Sequence, residues 1–503
     1  MLLYGGGTEV NMKLKKIISL AAASSMAVTM LGGCGTTKEE TKKDITLKYL
    51  MLGPAGQEDQ QMVFTEFNKR LQEKLPGVKV DFEVADGADY QQRFMLIQAG
   101  GEQLDIVGTY GIDFNNEVSN DSFMALDDLL DEYGKETKAA LPDWLFDYMT
   151  VNGKIYGIPA YQQLSTPFGI YMPKEYAEKY MNFDEFKAAV QSQDFEKVYQ
   201  ITDSYAEALK NDGKLGCGID IADVVYMTKE FINTQFAAEK TGDKQYNVDY
   251  FWFEDAEKEY YKWAHEWYQK GYIRKDVMTE TDKDSKMFNN DGGYAMFISQ
   301  VNPMMDEKHK DYVSVPFSDS YTIPAKSAAG GVAIMSGCEH PEEAMQVLNI
   351  LHTDKEMYNL LTYGIEGTHY KKVDDNTIEV PYDSTQGGTN DKYGLYRWII
   401  GNTELSYNTQ FDSEEMNKWI FETVNKAEDK SDFIGFVLDT SSFQDNIDQL
   451  TAIKDQYKKS LMYGTLDDWE AKLDEWEKKA EASELNMVKE EMQKQVDEFL
   501  KNK

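Results

Sequence analysis

Aromatic rings and planar polar groups recur together at a few points of this chain. Thr109, Tyr110 and Asp113 follow the short apolar run LDIVG, and Tyr161 and Gln162 follow IYGIPA. Gln300 and Asn302 follow YAMFIS, Glu366 and His369 lie in GIEGTHY, and YRW supplies Arg397 and Trp398. Flat rings offer platforms to the C–H faces of a ligand, while amides, carboxylates and a guanidinium pair with its polar groups. This is the chemistry of reversible binding. Signatures of bond-making chemistry fail on inspection. Asp282-Lys283-Asp284 begins like a calcium loop, but its fifth position is Lys286 and its twelfth is Gly293. Gly-Lys pairs at Lys135, Lys154 and Lys214 are followed by Glu, Ile and Leu, so none is a phosphate loop. No G-x-S-x-G or H-E-x-x-H occurs. With 88 acidic residues in the chain, paired carboxylates carry no catalytic information. The expectation is no catalysis, no cofactor and no metal.

Ligands of doubly wound sheets sit at the carboxyl ends of strands, so the elements before these residues matter. Ile45–Leu52 reads as a strand, Glu58–Lys74 as an amphipathic helix with Met62, Phe64, Phe67 and Leu71 inward, and Val78–Val84 as a second strand. Asp89–Ala99 reads as a helix and Leu104–Thr109 as a buried strand, which together give a parallel α/β sheet. Asn152-Gly153 suits a tight turn. Further on, Glu254–Lys270 reads as a helix, Tyr294–Ile298 and Gly330–Met335 as strands, and Pro341–His352 as a helix. A hairpin is expected around Asp374-Asp375-Asn376. Asp467–Leu500 carries an apolar stripe through Trp469, Leu473, Trp476, Val488, Met492, Val496 and Leu500, so it is expected to pack on the body.

The amino-terminal end speaks to location. Lys13, Lys15 and Lys16 precede an apolar run, Ile17–Leu31, of about 15 residues that ends in small residues, as a secretion signal does. A bilayer-spanning helix needs ~20. Leu31-Gly32-Gly33-Cys34 resembles the bacterial lipobox, which implies acylation of Cys34 and cleavage before it. Two or more acyl chains anchor stably where one is marginal. The polar stretch GTTKEETKKD is then a tether. Met12 is expected as the true start, with residues 1–11 an over-extension. The mature chain is thereby expected on the outer face of the cell membrane, extracellular and held by lipid.

The chain has 503 residues, 42% hydrophobic, with a net charge of −36. That length exceeds one hydrophobic core, so two or more domains are expected. The acidity repels nucleic acid, which is discounted as a partner. Cys217 and Cys338 are expected as free thiols in different lobes.

Taken in order, several stretches carry a likeness: NGKIYGIP (Asn152–Pro159), FNNDGGYAMFISQVNP (Phe288–Pro303), GGVAIMSGCEHPEEAMQVLNIL (Gly330–Leu351), YGIEGTHY (Tyr363–Tyr370), YRWIIGN (Tyr396–Asn402) and IGFVLD (Ile434–Asp439). They resemble the extracellular solute-binding proteins of bacterial ABC carbohydrate importers, in the lipoprotein branch with a C-terminal domain of unknown function (DUF3502-like). The resemblance implies an α/β, two-lobed periplasmic-binding-protein-like (class II) fold with hinge strands and C-terminal helices. Residues 1–33 would be the signal peptide and 34–44 the lipid-anchored linker. Residues 45–161 and 329–355 would form the first lobe, 162–328 and 356–460 the second, and 461–503 the C-terminal helices.

It also implies a sugar, as an oligosaccharide, held between the lobes by a monomer and passed to the transmembrane subunits of a permease. Tyr110, Asp113, Tyr161, Gln162, Gln300, Asn302, Glu366, Arg397 and Trp398 are the candidate contacts, with Trp398 as the stacking platform. Where relatives carry a tryptophan after the Ala-Met strand, this chain has Gln300-Val301-Asn302, which fits a more polar ligand. A binder of a peptide or other small solute, a lipid-anchored surface glycoside hydrolase, and a surface adhesin are the other readings.

Overall fold

The structure is a computed structural model and describes residues 44–87, 89–318, 330–381 and 392–503. The expected signal peptide, Cys34 and all but the last residue of the 34–44 linker lie outside the described residues, as does Ala329.

Two parallel strands, Ile45–Leu52 and Val78–Ala85, pair in register from Ile45 opposite Val78 to Leu52 opposite Ala85. Ile106–Gly108 joins in parallel on the other side of Ile45–Leu52. The helices Gln60–Lys74 and Tyr90–Gly100 make the crossovers. Gly331–Ile334 then adds antiparallel to Ile106–Gly108, and Ile158–Pro159 closes that edge. Lys48 marks a change along the first strand. Before it residues alternate between core and solvent, and from Tyr49 to Leu52 all are buried because helices cover both faces. Phe64, Phe67 and Leu71 of the first helix pack beneath Tyr49 and Phe82. Met62, expected on that inward stripe, is 42% exposed and Val63 is buried instead. Two residues from Phe64 is about 200° around the helix, which turns Met62 to solvent.

A second sheet runs in the order Tyr312–Pro316, Phe168–Pro173, Tyr294–Gln300, Gly218–Asp220. The helices Phe195–Asn211 and Asp255–Lys270 cover it with Tyr199, Tyr205, Tyr260 and Trp267. A small antiparallel sheet follows, Phe231–Asn233, Phe236–Gly242 and Gln245–Tyr250. The expected carboxy-terminal helices are Trp469–Ala482 and Leu485–Asn502, with Glu484 in the left-handed conformation between them at φ 61°. A straight helix over Asp467–Leu500 would be ~50 Å long. The break folds both stripes into the core of the second sheet, where Trp476 stacks on Tyr457 at 5.9 Å.

Residues 356–460 were expected in the second lobe, but the structure divides them. Met357, Tyr358, Leu360, Leu361, Tyr393, Leu395 and Ile400 pack into the core under the first sheet. The helix Lys355–Tyr363 follows Pro341–Thr353 after one residue, Asp354. Asp354 caps the second helix by accepting from the Met357 N–H at 3.0 Å and pairs with Lys74 of the first crossover at 2.6 Å. That fixes the helix to the first lobe. The expected Asp374–Asn376 hairpin joins Lys371-Lys372 to Thr377–Glu379, and Asn152-Gly153 turns with both φ angles positive. Cys217 and Cys338 are free thiols, Cys338 in the first core and Cys217 beside the second sheet.

Arg274 meets the first residue of the segment that begins like a calcium loop. Its guanidinium reaches Asp276 at 2.7 Å, Glu280 at 3.0 Å and Asp282 at 2.8 Å, and Lys283 pairs with Asp220 at 2.6 Å. Among the described residues no group of three His, Cys, Asp or Glu is placed to hold a metal ion. Among them, too, no helix is long and apolar enough to cross a membrane.

His352 gives the fold a pH dependence. Its Nδ1 lies 2.8 Å from the Leu348 carbonyl, its Nε2 is buried without a partner, and burial pushes its pKa down to about 4. The unfolded chain takes up this proton near pH 6.5. The stability that depends on the neutral ring is therefore complete above about pH 6.5 and lost as pH falls toward about 4. Thermal denaturation across that window is expected to show a falling Tm, and His352→Leu to flatten the fall.

Candidate functional site

The chain leaves the first sheet at Pro159 and enters the second at Phe168, and the crossing between is pinned from three directions. The Ala160 N–H donates to the Gly330 carbonyl at 3.1 Å. The Tyr161 N–H donates to the Gly401 carbonyl at 2.9 Å, and the Tyr161 carbonyl accepts from the Thr403 N–H at 2.8 Å and hydroxyl at 2.9 Å. Asn425, buried, accepts from the Leu164 N–H at 3.0 Å and donates to the Gln162 carbonyl at 2.6 Å. Backbone groups with no sheet or helix partner are thus satisfied by other passes of the chain.

A cavity of about 470 Å³ opens beside this crossing. Trp398 forms part of its wall, stacked on Tyr396 at 5.9 Å and 16°. Five carboxamides line it: Gln162, Gln163, Asn376, Asn408 and Asn417. Several are tied to one another or to the wall. Asn417 donates to Asn408 at 2.5 Å, Lys355 donates to Asn376 at 2.5 Å, and Gln163 donates to the Ser165 carbonyl at 2.9 Å. An amide spending one bond this way keeps further donors and acceptors in a fixed direction. Arg397 is held by Asp412 at 2.7 Å, while Asp412 accepts from the Thr409 N–H and hydroxyl at 2.7 and 2.8 Å. Tyr358 donates to the Arg397 carbonyl at 2.7 Å. Arg397 is thereby paired within this wall, which also carries Lys355 and Glu404, while Trp398, Leu395, Ile420 and Phe421 supply its apolar surface.

Tyr110 links this cavity to a second. It is 40% exposed and meets the Trp398 ring edge-on at 5.1 Å. The second cavity, about 320 Å³, is lined by Thr109, Tyr110, Asp113, Tyr148 and the Gly435-Phe436-Val437 segment. Thr109 fixes the strand end before Tyr110, since its hydroxyl accepts from the Gly331 N–H at 2.8 Å.

The residues picked from sequence separate in the structure. Gln162, Arg397 and Trp398 line the first cavity, and Tyr110 and Asp113 the second. Asp113 also caps the helix Phe114–Ser119, accepting from the Asn116 N–H at 3.3 Å. Tyr161 is buried, with its ring 5.6 Å from Phe421 and its backbone in the crossing. Asn302 is buried and caps Pro303–Lys308 through the Met305 N–H at 2.9 Å. Gln300 is exposed at the end of its strand and its carbonyl accepts from the Tyr171 hydroxyl at 3.1 Å. Glu366 is exposed in its own turn. His369, its pKa lowered by burial, accepts from the Ile365 N–H at 2.9 Å and sits 3.3 Å from Asp59. None of the last four residues lines either cavity. Sequence reasoning missed Tyr396, Asn376, Asn408 and Asn417. Tyr396 begins the YRW segment that was singled out; Asn376 lies in a hairpin turn, and Asn408 and Asn417 in a two-residue strand and a six-residue helix, elements too short for periodicity to mark a face.

A two-lobed α/β molecule whose crossing runs beside a ring-walled, amide-lined cavity has the form of a solute-binding protein. Residues 63–377, more than half of the chain, match the family described as bacterial extracellular solute-binding protein, and the chain belongs to that family. Residues 432–501 match a domain of unknown function, DUF3502. A carbohydrate ABC transporter substrate-binding protein of Streptococcus pneumoniae is 24% identical over 98% of this chain and 100% of its own length. The crystal structure of the S. pneumoniae N-glycan transport solute-binding protein NgtS overlays with a TM-score of 0.71 at 22% identity, covering 91% of this chain and 99% of that one. NgtS in complex with Man1GlcNAc gives 0.60 at 20% identity over the same shares. An extracellular solute-binding protein of Bifidobacterium longum subsp. infantis gives 0.61 at 17% identity over 92% and 100%.

Asn425→Leu is expected to leave the Leu164 N–H and Gln162 carbonyl without partners, lowering stability by about 2 kcal/mol or more. Chemical denaturation of the purified variant measures this.

Proposed function

We propose that this chain is the binding component of a bacterial carbohydrate importer. It captures an oligosaccharide in the ring-lined cavities beside the interlobe crossing and delivers it, unaltered, to the transmembrane subunits of a permease. The observation that carries the reading is the Tyr396–Trp398 stack in the wall of a cavity lined by five carboxamides, with Tyr110 against the Trp398 edge. Sugars present flat C–H faces that lie on rings and hydroxyls that pair with planar amides. Trp398 is the platform, Tyr110 its flank, and Gln162 a polar contact fixed through its own backbone. Micromolar capture needs only about −8 kcal/mol, within reach of two ring contacts and several hydrogen bonds after ordering costs. A ligand that touches both lobes only when they are closed shifts the population toward the closed form by its differential affinity. The curated relative and NgtS, both named for carbohydrate or glycan transport, support this choice of solute.

The amino-terminal pattern supports anchoring through lipid on Cys34, with the body outside the cell membrane as a monomer. The protein performs no chemistry on the solute in this reading.

A thermal-shift screen with mono- and oligosaccharides is expected to raise Tm for one sugar series, because a ligand bound only by the folded state stabilises by mass action. Trp398→Ala is expected to weaken the best hit at least tenfold in calorimetry. Unchanged affinity overturns the placement of the platform, and sugar hydrolysis overturns the binding reading. In a bacterial host grown with alkyne-palmitate, the full chain is expected to label and pellet with membranes. Cys34→Ala is expected to lose both properties.

A further inference from the structure

The largest cavity near the site is a third one, of about 720 Å³, and it continues from the second. The two share Thr150, Gly435, Phe436 and Val437. Its far wall is the last helix, Leu485–Asn502, which contributes Gln495, Glu498, Phe499 and Asn502. The opposite wall is the Asn152-Gly153 turn of the first lobe. It therefore spans from the first lobe to the domain of unknown function.

Rings and amides line it, as they do the first cavity, together with the charged Asp147, Asp439, Glu498 and Lys503. Phe436 packs against Phe499 at 5.3 Å and 61°, and carboxamides of Asn152 and Asn502 face the space. The segment carrying Phe436 is clasped rather than loose. Gln495 accepts from the Asp439 N–H at 2.8 Å and donates to the Asp439 carbonyl at 2.8 Å. The terminal Lys503 donates to the Asp432 and Ile434 carbonyls, each at 3.1 Å. Both amide valences of Gln495 are spent on backbone, so it positions the ring segment and is not free to contact a solute.

Tyr110 and Phe436 both line the second cavity, and Tyr110 meets Trp398 of the first. We infer that the third cavity is a distal arm of the solute site, built by the carboxy-terminal domain, which takes the additional units of an extended oligosaccharide. An arm of this volume selects for chain length: a short sugar fills the first cavities, and a longer one gains contacts on Phe436 and the last helix. The inference rests on the carbohydrate reading above.

The test compares matched pairs, maltose with maltohexaose, mannobiose with mannohexaose and chitobiose with chitohexaose, in calorimetry on the full chain. In the series that binds, the hexasaccharide is expected at least tenfold tighter. Asn502→Trp, at an exposed position of the last turn, fills the arm; it is expected to lower hexasaccharide affinity at least tenfold and move disaccharide affinity less than twofold. Glu498→Trp, exposed one turn earlier, blocks the same space and serves as the second variant. Equal affinities for short and long members, or an undiminished preference in both tryptophan variants, overturn the arm and leave the carbohydrate reading standing. Binding of no pair overturns the carbohydrate reading and the arm with it.

Discussion

The buried carboxamide of Asn425 is the constraint on which the interlobe region depends. A chain that passes from one sheet to another must leave both hydrogen-bond ladders, and the groups of Ala160–Leu164 would otherwise be stranded in an apolar seam. Asn425 satisfies two of them, and Gly330, Gly401 and Thr403 satisfy others. The partners come from three other passes of the chain, at Gly330, Gly401–Thr403 and Asn425. The crossing is consequently fixed in place by the very segments that build the cavity wall, since Thr403 and Gln162 are wall residues as well as crossing residues.

That coupling makes the site a property of assembly. Trp398 owes its orientation to Tyr396 beneath it and Tyr110 at its edge, and Tyr110 stands where it does because Thr109 is locked to the neighbouring strand at Gly331. Arg397 is turned toward Asp412, so its guanidinium is paired within the wall beside the rings and amides. The carboxy-terminal helices extend the same logic, because Gln495 and Lys503 hold the backbone of Ser431–Asp439 and so aim Phe436.

The excess of acids over bases is managed locally. Arg274 gathers three carboxylates on one guanidinium, and the resulting knot holds the segment before the strand Tyr294–Gln300.

Hydrophobic periodicity alone determined the first sheet, its two crossover helices, the strands Tyr294–Gln300 and Gly331–Ile334 and the stripe of the last helices, because burial imposes periods of 2 and 3.6 on a chain. Composition and order of motifs pointed to reversible binding, and Trp398, Tyr110 and Gln162 were legible as rings and an amide after strand ends or in a singled-out segment. Tertiary structure decided the rest. Whether Asn302 contacts a solute or caps a helix depends on what lies three residues on and what covers it. Whether Lys355–Tyr363 joins the first or second core depends on Asp354 meeting Lys74, some 280 residues away in sequence. Periodicity states which face of an element is apolar, and only the packed chain states which neighbour that face meets.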